Sequence, residues 1–138
     1  MARVVAIDYG SKRVGFAVTD VSQIIATPLC TQKNETALTF LKEYLENEEV
    51  AILVVGQPKR WDGSFSEIEK DIKRFIDKIE ALKLGVKIVR YDEMFTSKIA
   101  RQSFVATGLK KKKRENKELL DSTSATIILQ DYLSSQGL

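Results

Sequence analysis

The sequence has no histidine, one cysteine, two prolines and one tryptophan among its 138 residues. Each shortage removes chemistry. Without an imidazole there is no Ser-His-Asp or Cys-His relay, no His-ligated zinc and no histidine base. Any hydrolysis must therefore run on carboxylates and oxygen-loving metals such as Mg²⁺ or Mn²⁺. Cys30 alone can form neither an internal disulfide nor a thiolate metal site, which fits a reducing compartment. No apolar run approaches the roughly 20 residues that span a bilayer, and Met1-Ala2-Arg3 leads straight into Val4-Val5-Ala6-Ile7 without a signal-peptide layout. The expectation is a cytoplasmic protein with no membrane partner.

A hydrophobic content of 43% can fill one core, and residues 1–138 are read as a single domain. The net charge of +3 is too small to identify a polyanion partner by itself. Its distribution says more. Lys110, Lys111, Lys112, Lys113 and Arg114 form an unbroken run, Lys117 follows, and smaller pairs stand at Lys12-Arg13 and Lys59-Arg60. Such a run reads either as a solvated segment or as a phosphate-binding loop.

Period-two patterning and turn residues predict strands over Val4–Ile7, Val14–Thr19 and Ile24–Cys30, joined by short turns into an antiparallel meander. Ala37, Leu38, Leu41, Tyr44 and Leu45 recur at helical spacing within 35–48, and the apolar run Val50–Val55 predicts a strand covered on both faces. A second amphipathic stripe runs through Ile68, Ile72, Phe75, Ile76, Ile79 and Leu82, with Gly85 as its stop. Then come a strand over Val86–Tyr91, a helix over Thr96–Val105, a basic loop over 107–116 and a last helix over Glu118–Leu133. This order describes an α/β fold. Its mixed five-stranded sheet, three antiparallel strands followed by two parallel ones, is flanked by about four helices.

Three carboxylates stand out. Asp8 follows directly on the first strand and shares a face with Val4 and Ala6, although an Asp in a hairpin turn also bonds locally. Glu93 closes the strand before it, where it could equally cap the following helix. Asp121 opens the last helix on the stripe of Ala125, Ile128 and Tyr132, a packing face on which a carboxylate needs a partner. Convergence of the three would raise at least one pKa unless a cation neutralised them. A pair of divalent ions about 3.5–4 Å apart hydrolyses phosphodiesters with oxygen ligands alone.

Ala6-Ile7-Asp8-Tyr9-Gly10-Ser11-Lys12-Arg13-Val14-Gly15 resembles the first-strand signature of the YqgF family, RNase H-like proteins described as Holliday-junction resolvases or pre-16S rRNA nucleases. Val54-Val55-Gly56-Gln57-Pro58 with Asp62-Gly63 resembles that family's Gly-x-Pro strand end. Tyr91-Asp92-Glu93 with Thr96-Ser97 resembles its second acidic motif. Lys117-Glu118-Leu119-Leu120-Asp121-Ser122 through Leu133 is similar to its closing helix. The resemblance spans nearly the whole chain. It implies an RNase H-like fold, with Asp8, Glu93 and Asp121 as catalytic and metal-binding acids for Mg²⁺ or Mn²⁺. It also implies a nucleic-acid substrate, structured RNA before branched DNA.

The chain departs from the family at Met94, where an Arg is usual, and at Gln57, where a hydrophobic residue is usual. Losing the Arg removes a phosphate clamp. Lys98 and Arg101 are candidates to compensate. Lys12, Arg13, Lys110, Lys111, Lys112, Lys113, Arg114 and Lys117 complete the expected backbone-binding set. Trp61 either stacks a base or packs. The Asp-x-Gly turn also occurs in actin-like ATPases, but those need a second lobe. A non-catalytic nucleic-acid-binding module is the alternative to the nuclease, and the expected assembly is a monomer or weak homodimer, since a junction resolvase should pair about a two-fold axis.

Overall fold

The computed structural model describes residues 2–57, 67–92 and 116–136, with the backbone alone over 116–123. Five strands and three helices follow in the order β1 (Arg3–Tyr9), β2 (Arg13–Thr19), β3 (Ala26–Lys33), α1 (Asn34–Asn47), β4 (Val50–Gln57), α2 (Ile68–Ala81), β5 (Lys87–Asp92) and α3 (Asn116–Ser135). They form one sheet in the order β3-β2-β1-β4-β5. β1–β2 and β2–β3 are antiparallel, whereas β1–β4 and β4–β5 are parallel. The connections force this pattern. Three- and six-residue turns can only return the chain alongside itself, while α1 and α2 carry it across the sheet to start parallel strands. The expected RNase H-like topology of three antiparallel and two parallel strands is present. The helix expected over Thr96–Val105 and the basic loop lie outside the described residues.

β1 is the central strand. Val4, Val5, Ala6 and Ile7 have no exposed surface, because β2 and β4 close both edges and helices cover both faces. Val5 and Ile7 join Val14, Phe16, Leu53 and Val55 under α1 and α2, which contribute Ala37, Leu41, Ile72, Phe75 and Ile79. Val4 and Ala6 join Ala17 and Val54 under α3, which contributes Ala125, Ile128, Leu129, Tyr132 and Leu133. The two covers differ in grain. Aromatic contacts such as Phe16–Phe40, with ring centroids 5.0 Å apart, fill the first. On the second, Ala6, Ala17 and Ala125 let helix and sheet approach closely.

Several boundaries differ from expectation, among them the ends of β1 and β3, which run on to Tyr9 and Lys33, and two of the differences have a clear local cause. β3 starts at Ala26, not Ile24, and Ile24 and Ile25 are exposed. The Asp20 carboxylate accepts the N–H groups of Ile24 at 2.8 Å and Ile25 at 2.9 Å, and Gln23 takes a left-handed φ of 58°, so the turn swallows two β-branched residues. Those hydrogen bonds hold the Asp20 carboxyl below its ordinary pKa. α2 stops at Ala81, ahead of Gly85. Its last turn tightens as the Leu82 and Lys83 N–H groups donate to the carbonyls of Ile79 and Glu80, after which Lys83 takes φ 52°.

The β1–β2 turn is tight because of Gly10. A Cβ there would stand 2.5 Å from the Arg13 carbonyl oxygen, a backbone atom that cannot step aside cheaply. Gly10→Ala is therefore expected to cost about 1–3 kcal/mol, the usual scale of overpacking. Urea unfolding should show a lower midpoint with an unchanged slope; an unchanged midpoint would mean that the turn relaxes freely.

Candidate active site

Asp8 is the next-to-last residue of β1 and pairs with Gly15 of β2, which in turn pairs with Thr31 of β3. By the pleat, Asp8 continues the row of Val4 and Ala6 on the face that α3 covers. It is the first residue of that row to be half-buried instead of buried. Tyr9 turns to the opposite face, its ring centroid 5.2 Å from that of Phe75. The turn beyond is held against the start of α1: the Asn34 side-chain amide donates to the Gly10 carbonyl at 2.8 Å, and the Asn34 backbone N–H donates to the Lys12 carbonyl at 2.9 Å. Lys12 is exposed on this turn, and Arg13, half-buried, lies on the Asp8 side of the sheet with Gly15 and Ala17.

β4 pairs in parallel with β1, and β5 pairs in parallel with β4, with Val55 opposite Arg90 and Gln57 opposite Asp92, so the carboxyl ends of all three strands lie at one edge of the sheet. They are tied together by a group that the sequence reading missed. Glu69, in the first turn of α2, is only 3% exposed. The Arg90 guanidinium donates to both its oxygens, at 2.6 and 3.0 Å, and the Gln57 amide donates at 3.3 Å. Arg90 also donates to the carbonyls of Val55 and Gly56. Burial pushes the Glu69 carboxyl up, but the hydrogen bonds from Arg90 and Gln57 outweigh it and leave the pKa below the ordinary glutamate value. Gln57, where the resemblance implies a hydrophobic residue, is thus part of a polar cluster in which the half-buried Gln57 and Arg90 meet the buried Glu69. A charged residue next to Ile68 at the start of an amphipathic helix gave no such signal.

β5 also meets α3. Burial raises the pKa of Tyr91, reinforced by the charge of Asp131 and by a hydrogen bond to its carboxylate. This contact links the strand that leads to Glu93 with the helix that carries Asp121. Ala125 and Ile128 are fully buried, and Asp121 precedes them by four and seven residues on the same helical stripe. Glu93, Lys98, Arg101, Lys110, Lys111, Lys112, Lys113, Arg114 and Trp61 lie outside the described residues, as do the side chains of Lys117 and Asp121. Among the described residues, no three His, Cys, Asp or Glu side chains cluster to hold a metal. Of the expected acids, Asp8 is the one whose side chain is described.

A family model described as a Holliday junction resolvase, RuvX, matches residues 2–135. The chain belongs to this family. A curated relative from Flavobacterium johnsoniae is 47% identical over 136 residues, covering 99% of each chain. Another from Bacteroides fragilis is 43% identical over 138 residues, covering 100% of each. Both carry the name "Putative pre-16S rRNA nuclease". Among solved structures, RuvC of T. thermophilus in complex with a Holliday junction substrate superposes with a TM-score of 0.62 at 15% identity, covering 99% of this chain and 96% of that one. At that identity the likeness shows the fold, which is RNase H-like.

The Glu69–Arg90 pair sets a measurable pH dependence. A carboxylate whose folded pKa is lowered contributes stability that is present above the unfolded value of about 4.3 and is lost as pH falls through the folded value. Wild type should therefore outlast Glu69→Gln in urea at pH 7 by more than it does at pH 3. A constant gap between the two curves would show that the carboxylate charge contributes nothing. Arg90→Ala, which strands the buried acid, should cost about 3 kcal/mol at pH 7.

Proposed function

We propose that this chain is a divalent-metal-dependent endonuclease that hydrolyses phosphodiester bonds of structured RNA, in maturation of the 5′ end of the 16S rRNA precursor. The observation that carries the reading is Asp8, a carboxylate at the carboxyl end of the buried central strand, on the face covered by the helix that bears Asp121. Family membership and the names of the relatives supply the reaction class and substrate. The chain acts as one domain, in the cytoplasm, as a monomer or weak homodimer.

Asp8, Glu93 and Asp121 are the residues that would hold Mg²⁺ or Mn²⁺. The fit is chemical: the candidate ligands are all hard carboxylate oxygens, and a chain without histidine has no competing imidazole. A divalent cation, when bound, supplies an activated water and offsets charge on the phosphodiester. The chain's own residues do the rest. The buried β1 fixes Asp8, so this one ligand is held without reorganisation. Lys12 and Arg13, with Lys98, Arg101, Lys110, Lys111, Lys112, Lys113, Arg114 and Lys117, bind backbone phosphates in a salt-dependent, sequence-blind manner. Lys98 and Arg101 supply cationic charge beyond Met94, where the family usually has an Arg.

The second reading, cleavage of four-way DNA junctions, is favoured by the description of the family and by the RuvC likeness. It requires a two-fold assembly for paired cuts.

The test is cleavage of a pre-16S rRNA 5′ fragment and of a four-way DNA junction in Mn²⁺, by wild type and by Asp8→Asn. RNA should be cut, and the variant should lose on the order of 10²-fold or more in rate, the scale of deleting one preorganised charge-stabilising group. Cleavage of the junction alone, by a dimer, would transfer the assignment to the second reading. Equal binding of both substrates with no cut by either protein would leave a binding module.

A further inference from the structure

The apolar cover that α3 lays on the sheet thins out toward β5. Its buried residues Ala125, Ile128, Leu129, Tyr132 and Leu133 meet Val4 and Ala6 of β1, Ala17 of β2 and Val54 of β4, and β5 contributes Val89 and Tyr91 at the margin, both partly buried. What joins the end of β5 to α3 is polar. The Tyr91 hydroxyl donates to the carboxylate of Asp131, a half-buried residue next to the buried Tyr132. Tyr91 is set by its own ladder, opposite Gly56 of β4, so the sheet aims the hydroxyl and the helix aims the carboxylate. Its neighbour Arg90 turns to the other face, where Glu69 of α2 and the carbonyl of Gly56 hold it. Two successive residues thus tie the end of β5 to a helix on each face, directly ahead of Asp92 and Glu93.

The two kinds of contact constrain α3 differently. Hydrophobic attraction has no direction, and small residues such as Ala6, Ala17 and Ala125 offer little to interlock, so this packing resists lifting the helix more than turning it about its axis. A hydrogen bond fixes an angle as well as a distance. The difference is large on the scale of a metal site. A side chain reaches about 5–6 Å from the helix axis, so a turn of about 10° carries its tip about 1 Å, beyond the roughly 0.5 Å within which a working constellation must be held. α3 is one continuous helix over Asn116–Ser135, so a turn at Asp131 is passed along it to position 121.

We propose that Tyr91 and Asp131 are positioning residues of the metal site: their hydrogen bond sets the rotation of α3 against the end of β5, and so the approach of the helix that carries Asp121 to the strand that leads to Glu93. Neither residue touches metal or substrate in this role. The inference rests on the metal-dependent nuclease reading above, with Asp121 and Glu93 among the ligands. A tie that served folding alone would leave the metal affinity of the folded protein unchanged, and this separates the two roles.

The test is Mn²⁺ binding to the protein without RNA, followed by loss of the free-ion electron paramagnetic resonance signal, together with the Mn²⁺ dependence of cleavage of a pre-16S rRNA 5′ fragment. Wild type is compared with Tyr91→Phe, Asp131→Ala, Asp131→Asn and the Tyr91→Phe/Asp131→Ala double variant, at a temperature where circular dichroism shows all of them folded. Tyr91→Phe keeps the ring and loses only the hydroxyl. It and Asp131→Ala should each weaken Mn²⁺ binding about tenfold, the lower end of the range for groups that orient metal ligands. The double variant should be no weaker than Asp131→Ala, since one and the same bond is lost. Asp131→Asn, whose amide oxygen still accepts from Tyr91, should stay close to wild type. Wild-type Mn²⁺ affinity in Tyr91→Phe, or an equal loss in Asp131→Asn and Asp131→Ala, overturns the positioning role. A wild type that binds Mn²⁺ and cuts the RNA while Tyr91→Phe matches it sinks that role alone; a wild type that neither binds Mn²⁺ nor cuts overturns the nuclease reading and this inference with it.

Discussion

The burial of β1 on both faces and along both edges is the constraint on which the rest of the structure depends. Its four apolar residues leave water completely, and every neighbouring element is positioned by what it must cover or pair. A strand confined in this way has no freedom of register, since a slip of one residue would exchange its two faces. Asp8 is consequently placed by the hydrophobic effect acting on the residues before it. The same pleat that sends Ile7 toward α1 and α2 sends Asp8 toward α3.

The two covers of the sheet divide the labour. Large side chains on the α1 and α2 side supply most of the buried volume, and aromatic pairs there anchor Phe16 and Phe75. The α3 side is built from alanines and medium aliphatics, which allow a close approach of helix to strand. Asp8 belongs to the closely packed side. The Tyr91–Asp131 contact adds a polar tie between α3 and the end of β5.

Much of this was legible in the sequence because period-two and period-3.6 patterns report burial directly. The alternation of Val4, Ala6 and Asp8 identified the face of the first strand, and the run Val50–Val55 identified a strand with no wet side. The spacing of Ala125, Ile128 and Tyr132 identified the packing stripe of the last helix. The misses have a common cause. Ile24 and Ile25 carry strong strand propensity, but a side chain four residues upstream captures their N–H groups, a local competition that propensity does not encode. The Glu69–Arg90 pair joins residues 21 apart in sequence, and no periodicity announces a charge on the inner face of a helix. Arg13 was read as basic, but its pairing with Lys33 depends on strand register that a single chain does not print.

The cluster of Gln57, Glu69 and Arg90 has a consequence for what this end of the sheet tolerates. Glu69 is 3% exposed, and its charge is met by Arg90 and Gln57. Replacing a desolvated ion pair as a whole by apolar residues costs little, whereas removing one partner leaves a stranded charge. The three positions therefore respond to substitution as one unit: a change at one alone is penalised, and only a concerted change leaves the junction of β4, β5 and α2 intact.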